Sequence, residues 1–132
     1  MSGGAQERFA GHSESGLAAF AVVLAMHRIA VDPDQLRHDL GHERPVTSAD
    51  LLRLAKRLDG VRARAVSTNF TKLKRLPMPV VASGPSGWFV IGRVGDDELL
   101  IQQPGHGVER LDRAALAERW SGEVVLGIVD KG

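Results

Sequence analysis

Residues 14–26 read Glu14-Ser15-Gly16-Leu17-Ala18-Ala19-Phe20-Ala21-Val22-Val23-Leu24-Ala25-Met26 and contain the longest apolar run of the chain. The run from Leu17 to Met26 is ten residues long and stops at His27 and Arg28. A membrane-spanning helix needs ~20 such residues, so this segment is expected to be a helix of the core and the isolated domain to be soluble. Ser13 or Ser15 is placed to cap that helix. Because the run is apolar on every side, the helix is expected at the buried centre of the domain.

Working outward, Asp32-Pro33-Asp34-Gln35 offers a capping residue, a proline at the first helical position and a glutamine able to close a capping box. Gly41 supplies the stop of this short second helix. Thr47 and Asp50 repeat the capping-box spacing, and Leu51, Leu54, Ala55 and Leu58 share one face opposite Asp50, Arg53, Lys56 and Arg57. A third, amphipathic helix ending at Gly60 follows. The period then changes to two, with Val61, Ala63 and Ala65 alternating with Arg62 and Arg64, as in a strand with one wet face. Further strands are expected at Val80–Ser83, Trp88–Val94, Leu99–Gln102 and Val124–Val129, with Gly95-Asp96-Asp97-Glu98 as a hairpin turn. Asp112 caps a last helix from about Arg113 to Trp120. Helices first and mostly antiparallel strands second give an α+β fold.

The length of 132 residues fits one compact domain, and 43% hydrophobic with 25% charged residues is an ordinary globular balance. Seventeen Lys and Arg against sixteen Asp and Glu leave a net charge of +1, which gives no electrostatic reason to expect nucleic acid as a partner. The chain has no cysteine, which excludes disulfides, a thiolate nucleophile and a Cys-type zinc site. Residues 1–4, Met-Ser-Gly-Gly, are expected to be a cloning remnant or a disordered terminus, and residues 5–132 a single domain.

His12, His27, His38, His42 and His106 show no metal-ligand spacing on one helix, so no metal and no cofactor is assigned. Gly84-Pro85-Ser86-Gly87 and Gly105-His106-Gly107 are not placed between a strand and a helix and are read as turns, not phosphate loops. Lys72 to Arg75 holds three cations and is a secondary candidate for an acidic ligand. Ser15 sits where a nucleophile over a helix N-terminus would sit, and equally where a capping serine would.

Taken in order, Glu14-Ser15-Gly16-Leu17-Ala18-Ala19, Gly87-Trp88-Phe89-Val90-Ile91 and Gln103-Pro104-Gly105 resemble the three motifs of the bacteriocin-leader peptidases, cysteine peptidase family thirty-nine. That family has a papain-like fold and forms the N-terminal domain of certain bacterial ABC transporters. Its motifs read Asp-Cys-Gly-x-Ala-Cys, Gly-His-Phe-Val-Val and Asp-Pro-x-x-Gly. The resemblance runs from about Phe9 to Val129, with support from Leu36-Arg37, Leu76-Pro77-Met78-Pro79 and Trp120-Ser121-Gly122. Carried over by position, it puts the nucleophilic cysteine at Ser15, the general-base histidine at Trp88, the orienting aspartate at Gln103 and the oxyanion glutamine at Phe9. All four are altered, and an indole accepts no proton at neutral pH, so nothing at Trp88 activates Ser15.

The resemblance therefore implies a degenerate peptidase, like the peptidase-like domain of type I secretion transporters that export RTX toxins such as haemolysin and adenylate cyclase toxin. It implies a domain on the cytoplasmic side of the bacterial inner membrane, excised from a transporter whose transmembrane and nucleotide-binding domains are its neighbours. The implied role is to hold an unfolded RTX toxin without cleaving it, with Trp88, Phe9 and Gln103 as candidate substrate contacts. The two aromatics either wall an apolar cleft or fill the vacated space by packing. Two rival functions are a residual hydrolase using Ser15 with His12 or His106 as base, and a structural domain that contacts the nucleotide-binding domain.

Overall fold

The computed structural model describes residues 4–85, 87–103 and 106–129, with side chains described for 15–85, 87–103 and 106–127. The apolar run lies in α1 (Gly4–Met26), which begins well before either serine proposed as its cap. Ser13 and Ser15 are interior to the helix. Ala5, Gln6, Glu7 and Arg8 are good helix formers and carry it further back, and Gly4, set aside as a terminal residue, is its first residue. Leu17, Ala19, Phe20, Val23 and Leu24 are buried. The helix is not buried on every side: Ala18, Ala21 and Val22 are half-buried and Met26 is 50% exposed, because sheet and helices cover only part of its circumference.

The second helix is α2 (Pro33–Leu40), with Asp32 accepting from the Asp34 amide and Gly41 left-handed at φ 76°. Gln35 does not close a capping box; its Nε2 donates to Asp39 Oδ1 at 3.1 Å, one turn on, where a carboxylate is the stronger acceptor. In α3 (Ser48–Lys56) the capping box of Thr47 and Asp50 is formed in both directions. Leu51, Leu54 and Ala55 are buried, and Leu58, beyond the helix end, is half-buried against the same cluster.

The strands are β1 (Val61–Ser67), β2 (Val80–Gly84), β3 (Gly87–Val94), β4 (Glu98–Gln103), β5 (Gly107–Asp112) and β6 (Glu123–Val129). They form one sheet in the order β1-β6-β2-β3-β4-β5, antiparallel throughout. Two helices follow strands: α4 (Phe70–Leu73) after β1 and α5 (Arg113–Arg119) after β5, the latter capped by Asp112 as its sequence indicates. Neither α4 nor β5 is expected from the sequence. A four-residue helix shows no period, and Val108-Glu109-Arg110-Leu111 carries too few apolar residues to mark a strand.

The two faces of the sheet bury different partners. Val81, Trp88, Val90 and Val125 pack under α1, α2 and α3. Val80, Ala82, Phe89, Ile91, Leu99, Ile101, Leu111, Val124 and Leu126 pack against Phe70 and Leu73 of α4 and Leu116 of α5. Gly84 marks the closest approach of α5 to the sheet, since a Cβ there would stand 1.8 Å from the Arg119 carbonyl oxygen. The fold is thus the expected helical layer on an antiparallel sheet, and α1 crosses β3 where the candidate catalytic positions lie.

Candidate functional site

Ser15 and Trp88, far apart in sequence, meet where α1 crosses the start of β3. The Trp88 amide donates to Ser15 Oγ at 3.1 Å. Position fifteen therefore faces position eighty-eight, the nucleophile and base positions implied by the family motifs. The hydroxyl is held as an acceptor by a main-chain amide, and the neighbouring ring is an indole.

That indole is enclosed. Trp88 is 3% exposed and its Nε1 donates to the Val46 carbonyl at 2.9 Å. Gly16 makes the room: a Cβ on it would lie 2.8 Å from Val46 Cβ and 3.0 Å from Trp88 Cδ1. A large aromatic with its one polar atom satisfied is a filled seat, not the wall of an open cleft. Phe9 belongs to α1, and its side chain, with the expectation that it walls a cleft or packs on Trp88, lies outside the described residues. The same holds for the side chain of His12. Gln103 ends β4 opposite Gly107, and its carbonyl accepts from the His106 amide at 2.9 Å.

Val46, which shuts the seat, was missed from sequence. It precedes the N-cap Thr47, the position from which an apolar residue staples onto the fourth helical residue, here Leu51, and both are buried in one cluster. The loop carrying Val46 is pinned at both ends. His42 Nε2 lies 3.2 Å from Asp50 Oδ1, and Arg53 Nη2 donates to the Leu40 carbonyl at 2.9 Å and to Asp50 Oδ1 at 3.3 Å. Burial alone pushes the Asp50 carboxyl up, but the bonds from Thr47 and His42 outweigh it and hold it below its ordinary value. His42, Arg44, Pro45, Thr47 and Asp50 line a depression of about 240 Å³. No group of three or more His, Cys, Asp or Glu that suits a metal occurs among the described residues.

The sequence profile of the peptidase C39 family matches residues 7–130. The chain is 32% identical over 117 residues to the cyclolysin secretion/processing ATP-binding protein CyaB of Bordetella pertussis, covering 86% of this chain and 16% of that one. It thus spans about a sixth of the length of the curated relatives it matches. Among solved structures it is similar to a double glycine motif protease from an AMS/PCAT transporter in complex with its leader peptide, at TM-score 0.78 and 20% identity, covering 87% of this chain and 84% of that one. The peptidase domain of Streptococcus ComA gives TM-score 0.79 at 19% identity, covering 89% and 93%. The N-terminal peptidase C39-like domain of a toxin secretion ATP-binding protein from Vibrio parahaemolyticus gives 0.70 at 17%, covering 88% and 97%. These likenesses confirm the papain-like peptidase fold that the motif order implies. With no cysteine anywhere in the chain, the thiolate nucleophile on which such a peptidase depends is absent. The chain belongs to the peptidase C39 family, as a degenerate member without the family's nucleophile.

Proposed function

We propose that the chain is the non-catalytic, substrate-engaging domain of a type I secretion ABC transporter, and that it holds an unfolded RTX toxin before export. The observation that carries this reading is the filled seat: Trp88, at the position the family motifs imply for the base, is sealed by Val46 and accommodated by Gly16. The fold has been kept while its chemistry has been replaced by apolar packing, which fits a domain retained for what it binds. The similarity to a protein named for cyclolysin secretion and to the domain of a toxin secretion protein supports a toxin as the cargo. In this reading the transmembrane and nucleotide-binding domains lie elsewhere in the same transporter, and the domain sits at the cytoplasmic side of the inner membrane. No helix among the described residues is long and apolar enough to cross a membrane itself.

Because Trp88 is enclosed, substrate contact falls on surface outside the seat. Gln103, half-buried at the end of β4, is the expected contact that stays available. The test is paired: double-glycine leader peptide should remain uncleaved, and an RTX-repeat fragment held unfolded without calcium should bind while its calcium-folded form does not. Leader cleavage, or equal binding of both forms, overturns the proposal.

A further inference from the structure

The sheet has two outer strands, and they are not equivalent. Over β1, Ala63 and Ala65 pack into the cluster beneath α3. At the other side β5 is exposed at five of its six residues, with only Leu111 buried, and Val108 is 70% exposed. Its ladder with β4 fixes which backbone groups remain open. The Arg113 amide donates to the Asp97 carbonyl at 3.0 Å, in the same register that pairs Asp112 with Glu98. Antiparallel pairs alternate, so Leu111 and Glu109 exchange bonds with Leu99 and Ile101, whereas Val108 and Arg110 turn their N–H and C=O groups away from β4. Among the described residues no strand pairs with these groups, and they form an edge at which a further strand can pair.

Side chains beside that edge specify what fits. Arg93, Leu100 and Arg110 form one cross-strand row, and with Gly95, Glu98 and Leu99 they line a depression of about 130 Å³. Two arginines and one carboxylate line it, with Arg110 Nε 3.7 Å from Glu98 Oε1, while Asp112, on the same face of β5, has its carboxylate engaged by the Ala115 amide. Val108 stands two residues from Arg110 on the same face of the strand. A strand added to β5 would set one side chain beside Arg110 and the next but one beside Val108.

We propose that the free edge of β5 is a strand-addition site for an extended, unfolded polypeptide segment carrying an acidic residue two positions from an apolar one. The acidic residue extends the Arg93-Leu100-Arg110 row and the apolar one covers Val108. This rests on the substrate-engaging reading above and gives it a place. An unfolded cargo is the partner whose amides are free to pair, while a folded one has already satisfied them, so the edge discriminates folding state without reading a long sequence.

The test uses this chain with two kinds of probe: the calcium-free RTX-repeat fragment, and disordered peptides of repeated Val-Thr-Asp-Thr or its lysine counterpart. Amide hydrogen exchange at Val108 and Arg110 should slow on adding the fragment or the aspartate peptide, and not with the lysine peptide. Val108→Pro removes one outward donor and no bond to β4, and should weaken binding about five- to tenfold, while Val108→Thr should not. Should the proline variant fail to fold, exchange on the unaltered chain decides alone. Full-strength binding of the fragment to Val108→Pro with unchanged exchange along β5 overturns the edge and leaves the substrate-engaging reading standing. Aspartate peptide pairing at β5 while the RTX fragment binds nowhere retains the edge and rejects that reading. Slowed exchange at Val108 without any probe, rising with protein concentration, assigns the edge to a second copy of this chain and overturns the proposal.

Discussion

The Trp88 amide and the Ser15 hydroxyl are 3.1 Å apart although 73 residues separate them in the chain. This contact joins α1 to β3 at the two positions that the motif order implies for nucleophile and base. Here it transfers no proton: the donor is a peptide amide, and the ring above has one N–H, already given to Val46. The pair is a packing joint.

Ser15→Cys alone should therefore leave leader-peptide cleavage at the blank, because a thiol at this position still meets an indole and not a base. Combining Ser15→Cys with Trp88→His and Gln103→Asp supplies all three missing roles, and cleavage is expected in that variant alone. With Phe9 in place of an oxyanion donor it should run about 10²–10³-fold below an intact family member. Chromatography of the peptide products checks both. Turnover by the unaltered chain or by the single variant would overturn the assignment of Trp88.

Gly16→Ala should destabilise the domain by about 1–3 kcal/mol even though alanine is the better helix former, since the added methyl meets Val46 and Trp88 inside van der Waals contact. Trp88→Ala should cost about 3–5 kcal/mol through its cavity and the lost bond to Val46. The two costs should not add. Removing the indole relieves one of the two clashes at Gly16 and leaves the one with Val46, a coupling that urea unfolding of the four-member cycle measures.

The fold was legible where a single periodicity or cap decides an element. The capping box at Thr47 and Asp50, the stop at Gly41 and the alternation of Val61 to Ala65 all depend on residues a few positions apart, and each forms as read. What escaped depended on partners distant in sequence. β5 is a strand because Glu98 to Gln103 offers it a ladder, not because its own residues are apolar. A start of α1 at Ser13 or Ser15 is too late because a serine able to cap a helix is indistinguishable in sequence from one inside it. At the site, the motif order singles out Ser15 and Trp88, and the fold brings these two together. Val46 was not, since nothing local says its carbonyl will meet an indole.

Asp50 links the loop over the seat to pH. Its folded carboxyl sits below the ordinary value, so its contribution to stability is complete above the unfolded pKa and is lost as the pH falls through the folded one. Asp50→Asn should be less stable than the unaltered chain by about 1 kcal/mol at neutral pH. The gap should close as the pH drops below about 4. Urea midpoints of both proteins across that range test it, and a gap that stays constant would show that the charge of Asp50 contributes nothing.

Whether cargo ever enters the seat is answerable from the two tryptophans. Trp88 is enclosed, whereas Trp120 is half-buried, its Nε1 donating to the Glu123 carbonyl at 3.0 Å. In a Trp120→Phe variant the remaining emission reports Trp88 and should be blue-shifted and resistant to acrylamide. Expelling the indole would expose on the order of 200 Å² of apolar surface, a cost of about 5 kcal/mol at 25 cal/mol per Å², before counting its bond to Val46. A micromolar complex has about 8 kcal/mol in total, so an open seat would consume most of the affinity that a flexible cargo can supply. Titrating this variant with the calcium-free RTX fragment should leave the Trp88 emission and its quenching unchanged while exchange at β5 slows. A red shift with rising acrylamide quenching would mean that the cargo displaces the indole, and would move the binding site from the sheet edge to the seat of Trp88.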